Sequence, residues 1–191
     1  AEGSNPVKSD YPIESGWPTR MTNRAVRGLE LLNANTSISF DDFNAIKHDN
    51  AYSPRYRGYA YLSSVAQLEP DDPEESQALS LIRNWDLHTD TSNRSAALGV
   101  CVLLEEWQAE RSGSALPDAR ETLHTCMESE RDVAGQLDPE WGTVQQHGRG
   151  QRTWPAAGGP DTLRAMYAEQ LEDEDDFLTV VAGDGLYYLI E

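Results

Sequence analysis

The stretch that most constrains this chain is the apolar run Ala96, Ala97, Leu98, Val100, Cys101, Leu103, Leu104 and Trp107. It has the length of a helix, about 94–111, and its apolar residues are not confined to one stripe. A helix of that kind has to be enclosed. It therefore predicts a central buried helix with other helices laid around it.

The segments on either side supply those helices. Thr22 is a good N-cap, and Ala25, Leu29 and Leu32 follow at helical spacing, so a first amphipathic helix is expected from about 22 to 32. Ser39 caps a second, with Asp41 and Asp42 where the helix dipole favours negative charge and Phe40, Phe43 and Ile46 as its apolar face. A third helix starts near Pro54, a tolerated first-turn proline, and runs through Tyr56, Tyr59, Ala60 and Leu62 to about Gln67. A fourth, about 74–84, carries Ala78, Leu79, Leu81 and Ile82. It leads into Trp85-Asp86, where the indole is expected under the central helix and Asp86 on nearby backbone N–H groups. The sixth, about 118–135, has Leu123, Cys126, Met127 and Val133 inward.

From Asp138-Pro139 the texture changes. Glycines punctuate short stretches, 150–155 reads as extended, and 163–168 fits helix and strand equally. Residues 177–182 and 186–190 read as two strands around Gly183-Asp184-Gly185, a hairpin signal. The expectation is an α+β segment: a leading loop over 1–20, about six helices over 21–136, then antiparallel strands over 137–191. The last strand is almost wholly apolar and wants cover on both faces. That points to further chain or a partner, and to a fragment of one larger domain.

Composition removes some functions. The net charge is −18, from 33 acidic and 15 basic residues, so nucleic acid and anionic membrane surfaces would be repelled. Only Lys8 and Lys47 are lysines; such a surface suits high salt, though ordinary solvated acidity is the favoured explanation. No apolar run reaches the roughly 18 residues of a membrane span. Cys101 and Cys126 fit either two buried thiols or one disulfide. His48, His88, His124 and His147 have no zinc-ligand spacing, Gly158-Gly159-Pro160 lacks the phosphate-loop lysine, and the acids at 172–176 lack the order of a calcium loop. No cofactor is expected.

A more specific pattern lies in the order of several short motifs. They are Met21-Thr22-Asn23-Arg24-Ala25, Ser39-Phe40-Asp41-Asp42-Phe43, Lys47-His48-Asp49-Asn50 and Tyr52-Ser53-Pro54-Arg55. Leu81 to Asp86, Trp141-Gly142-Thr143-Val144, Gly158 to Leu163 and Val181 to Tyr187 follow. This series resembles the penicillin acylase family, and within it the acyl-homoserine-lactone and aculeacin type acylases, over nearly the whole chain. The resemblance implies part of an N-terminal-nucleophile hydrolase with a four-layered αββα sandwich. Such enzymes arise from a precursor that cuts itself into a small and a large subunit. The chain would be the middle of the large subunit, with the remainder of that subunit and the small subunit as partners. Its substrate would be a small N-acylated molecule: an acyl-homoserine lactone, a lipopeptide or a β-lactam. The resemblance also implies a periplasmic or extracellular location.

By the same resemblance the nucleophilic serine and the oxyanion asparagine precede residue 1, so the segment alone would be inactive. Arg24 falls on an arginine beside that asparagine, where a guanidinium can support the oxyanion site. Gly3-Ser4-Asn5 imitates the self-cleavage junction. However, Pro6 to Pro12 cannot form the apolar central strand that should follow, so Ser4 is not taken as the nucleophile. Some members hold a structural calcium between subunits; Asp10 or Glu14 lies in roughly that region. The competing expectations are a non-catalytic helical interaction module and a degenerate member without the nucleophile.

Overall fold

The computed structural model describes residues 21–34, 36–171 and 176–183. Seven helices come first: α1 (Asn23–Asn33), α2 (Phe40–Lys47), α3 (Gly58–Ala66), α4 (Pro73–Asn84), α5 (Ala96–Ser112), α6 (Ala119–Ala134) and the single turn α7 (Trp141–Val144). Four strands follow: β1 (Gln145–Arg149), β2 (Arg152–Pro155), β3 (Met166–Glu169) and β4 (Leu178–Gly183). The α+β class with helices before strands is as the sequence implies.

Local chemistry starts the helices: Thr22 and Ser39 cap α1 and α2 as expected, and Asp72 and Asp118, not read as caps from sequence, do the same for α4 and α6. Thr22 accepts the Ala25 N–H, Asp72 accepts those of Glu74 and Glu75, and Asp118 accepts those of Arg120 and Glu121. Each removes an otherwise unpaired donor from the first turn. Ser39 and Asp42 close a full capping box on α2. Helix three starts later than expected, at Gly58, because 54–57 forms a turn before it.

The core surrounds α5, which packs against α3, α4 and α6. Leu98 and Val102 of α5 meet Val65, Leu79 and Leu123 in one cluster of fully buried side chains. Trp85 lies flat against α5 at Gly99, where any Cβ would collide with the indole ring. Its Nε1 donates to the His88 carbonyl at 2.8 Å, and Asp86 accepts the His88 N–H at 3.0 Å. Cys101 and Cys126 form a disulfide joining α5 to α6, which resolves the alternatives left by the sequence.

Two expected apolar faces are not in this core. Leu29 and Leu32 of α1 and Phe40 and Phe43 of α2 are exposed, and α2 has no buried residue. Of the expected faces only Ala25 is buried, so periodicity marked apolar stripes but not whether anything lies against them.

The sheet has the order β2-β1-β4-β3. β1–β2 and β3–β4 are antiparallel, as expected, but β1 and β4 run parallel in the middle. Parallel neighbours need a crossover, which here consumes 150–177, so reading strands one after another cannot find the pair. The ambiguous 163–168 stretch resolves into β3. The expected strand at 186–190 and the loop at 1–20, with Ser4, Asp10 and Glu14, lie outside the described residues.

Candidate functional site at the start of α1

The site is built around the first turn of α1, where the 51–53 and 158–162 segments converge. The residue at its centre is Asn23, which is fully buried. Its side-chain Nδ2 donates to the Ala51 carbonyl at 3.3 Å and the Asp161 carbonyl at 3.0 Å, while its Oδ1 accepts the Ser53 N–H at 2.8 Å. Every hydrogen-bonding direction of the amide but one is thereby used. A buried amide so engaged fixes the segments it joins, because each bond lost would strand a partner out of water.

The Asn23 backbone N–H donates to Asp161 Oδ2 at 2.7 Å. Asp161 sits in the Gly158-Gly159-Pro160-Asp161-Thr162 turn with φ 58°, left-handed backbone that aspartate tolerates better than most residues. The turn is held from several sides. Tyr52 donates its hydroxyl to the Pro160 carbonyl at 2.6 Å, and Thr162 donates its own to the Arg164 carbonyl at 2.7 Å. Trp141 and Gln145 both donate to the Gly158 carbonyl at 2.9 Å.

Asp161 is a nearly buried carboxylate at a helix N-terminus. Burial pushes its pKa above the usual carboxylate range; the Asn23 N–H, the Arg24 charge and N–H, and the Arg57 charge oppose that rise. Arg24 is therefore placed next to Asp161, half-buried. Its Nε is buried and has no hydrogen-bond partner among the described residues. A buried guanidinium N–H left open is a donor held ready for an acceptor that the described residues do not provide.

Beside this turn, Tyr52, Tyr56, Leu103, Leu104, Trp107, Pro160 and Asp161 enclose a cavity of about 10 Å³, close to the volume that one water needs. Burial raises the Tyr52 hydroxyl pKa, and the negative Asp161 adds to the effect. Tyr56 donates to Glu106 Oε2 at 3.2 Å, and Arg57 pairs with Glu106 and Glu110. The wall is thus α5, through Leu103, Leu104 and Trp107, together with the 52–56 segment before α3 and the 158–162 turn. On the other side of α1, Arg27 makes a two-pronged bond to Asp49 at 3.0 and 2.8 Å, and Ser53 donates to Glu30 at 2.7 Å.

Arg24 is the one site residue named from sequence, and the structure places it next to Asn23 and within the field of Asp161. Sequence reading missed Asn23 and Asp161. Gly158 to Thr162 was read as a turn; an aspartate in a Gly-Gly-Pro-Asp turn was the available signal, but its partner lies 138 residues away. The histidines do not converge. His88 lies by Asp86, His124 by Glu75, His48 on the Asn44 carbonyl and His147 in β1. Among the described residues no group of three or more His, Cys, Asp or Glu is placed to hold a metal ion, and no described helix is long and apolar enough to cross a membrane.

No curated protein matches the chain. The family model described as Penicillin amidase matches residues 3–182. With nearly its full length matched, the chain belongs to the penicillin amidase family.

Proposed function

We propose that this chain is a section of an acylase that hydrolyses the amide bond of small N-acylated molecules. Acyl-homoserine lactones, lipopeptides and β-lactams are the candidate substrates, the first two favoured by the motif order near Arg24. The reaction proceeds through an N-terminal serine outside this segment, made available by self-cleavage of a precursor. Its own amino group takes the hydroxyl proton, and donors around the carbonyl oxygen stabilise the tetrahedral intermediate. The remainder of the large subunit and the small subunit complete the site.

The observation that supports this reading is the open, buried Nε of Arg24. A guanidinium supporting an oxyanion site has to be rigid in its backbone yet unspent at its donors. Asn23 and Asp161 supply the rigidity through the first turn of α1. The Cys101–Cys126 disulfide supports a periplasmic or extracellular location, since such bonds persist mainly in oxidising compartments.

The test is Arg24→Ala in the full enzyme. Removing one oxyanion-side donor lowers kcat by about 10²-fold or more, while the unfolding midpoint stays nearly constant. Unchanged turnover on every amide substrate tried would remove Arg24 from the reaction.

A further inference from the structure

The buried face of α6 follows helical spacing: Leu123, Cys126, Met127, Glu130 and Val133. Four of these five belong to the hydrophobic core; Glu130 stands where a fifth apolar residue would fit. It is only 6% exposed, and its Oε2 is buried without a hydrogen-bond partner. Burying a carboxyl this way is unfavourable, so its position calls for a reason.

Its neighbour along the helix supplies one. Glu130 lies one turn after Cys126, and helix side chains lean back toward the N-terminus, over the residue four positions earlier. Glu130 and Cys126 therefore share the buried face of α6, one turn apart. The two cysteines differ in exposure: Cys126 is fully buried, whereas Cys101 is only partly so. Attack from solvent would fall on the more exposed Cys101, leaving Cys126 in a medium that penalises a bare thiolate.

We propose that Cys101–Cys126 is a thiol–disulfide exchange site for small dithiols, in which the Glu130 carboxyl gives its proton to the departing Cys126 sulfur. The dithiol's first thiolate attacks Cys101 Sγ. A mixed disulfide forms, the Cys101–Cys126 bond breaks, and its electron pair leaves on Cys126 Sγ, which takes the Glu130 proton. The second thiolate of the dithiol then displaces Cys101 and closes a disulfide in the reagent. Cys101 and Glu130 take up protons from solvent. Two electrons pass from dithiol to protein.

Glu130 suits this step because burial raises its pKa to about 7, so it exchanges its proton around neutral pH. Several titratable groups on the surrounding helices are engaged elsewhere. Glu75 of α4 is bonded to Arg120 and His124, Glu74 to Arg131, Tyr61 of α3 to Thr122, and Glu106 of α5 to Tyr56. Helix α7 carries no charged residue, and burial is the sole cause of the Glu130 shift.

The experiment is reduction of the intact protein by dithiothreitol across neutral pH, followed by alkylation and intact mass. Rates are divided by the thiolate fraction of the reagent. The wild-type value falls about tenfold as Glu130 loses its proton, within the usual reach of a general acid, and Glu130→Gln gives a flat profile. Glu130→Gln keeps the side-chain size and removes a buried charge, so it folds. Superimposable profiles for the two proteins would overturn the proposal. So would a rate that stops rising with dithiothreitol concentration, since the bond would then open only through unfolding.

Discussion

Helices α2 and α5 make a useful pair. By local signals α2 is the better specified: it has a complete capping box, two acids in its first turn and Lys47 in its last. Ser95, at the start of α5, makes no side-chain cap bond. Yet nine residues of α5 are buried and none of α2 is. Caps and dipoles decide that a segment is helical and where it begins. They say nothing about what covers it, and most helical stability in a protein comes from that cover. α5 draws it from α3, α4 and α6, whereas α2 stands on its caps and its link to α1.

The sharpest test of this contrast is Leu98→Ala. The side chain is fully buried in the cluster around α5, and its truncation should cost about 3–4 kcal/mol of unfolding free energy, as for other buried leucines that leave a cavity. Chemical denaturation at constant slope measures it. A loss below about 1 kcal/mol would mean the bundle core relaxes around the gap and is not the anchor.

Glu130→Gln runs the other way. The carboxyl has an ordinary value of 4.5 and is pushed up to about 7 in the folded chain. The folded state therefore holds a proton that the unfolded state releases. The penalty is absent below about pH 4.5, grows between there and pH 7, and is complete above it. The variant should be more stable by about 3 kcal/mol at pH 8, and equal to the parent at pH 4. Thermal unfolding at the two pH values checks the sign.

Asn23→Ala should cost about 2 kcal/mol, because it leaves the buried carbonyls of Ala51 and Asp161 and the Ser53 N–H without their partner. The loss should appear as early hydrogen exchange at α1 and at 158–162, with the α5 amides still protected. Exchange that rises uniformly would show that α1 and the bundle unfold as one.

The smallest effect is expected at Phe43→Ala, within about 0.5 kcal/mol for an exposed position. A larger loss in the intact enzyme would show that α2 gains cover on assembly, and would turn the contrast into one between covered faces.

The candidate site divides in a similar way. Arg24 was named from sequence because it stands inside a short ordered motif beside a helix cap. Asp161 was not, since its role depends on a 138-residue separation being closed. Glu130 was hidden for another reason: the α6 pattern was read through its apolar residues, and a charged residue on that face was assigned outward. The mixed sheet escaped because β1 and β4, parallel neighbours, have two edge strands between them in sequence.

The sequence by itself determined the helices, their caps, the central place of α5, the change to strands after Asp138-Pro139 and the family. All of these are written in spacings of a few residues or in ordered motifs, where local sterics and hydrogen bonding act. Only the tertiary structure decided which apolar faces are covered, which carboxylates are buried, that Cys101 meets Cys126, and that Asp161 closes on the first turn of α1. These depend on contacts between distant segments, and their energies arise from removing water, which no local pattern records.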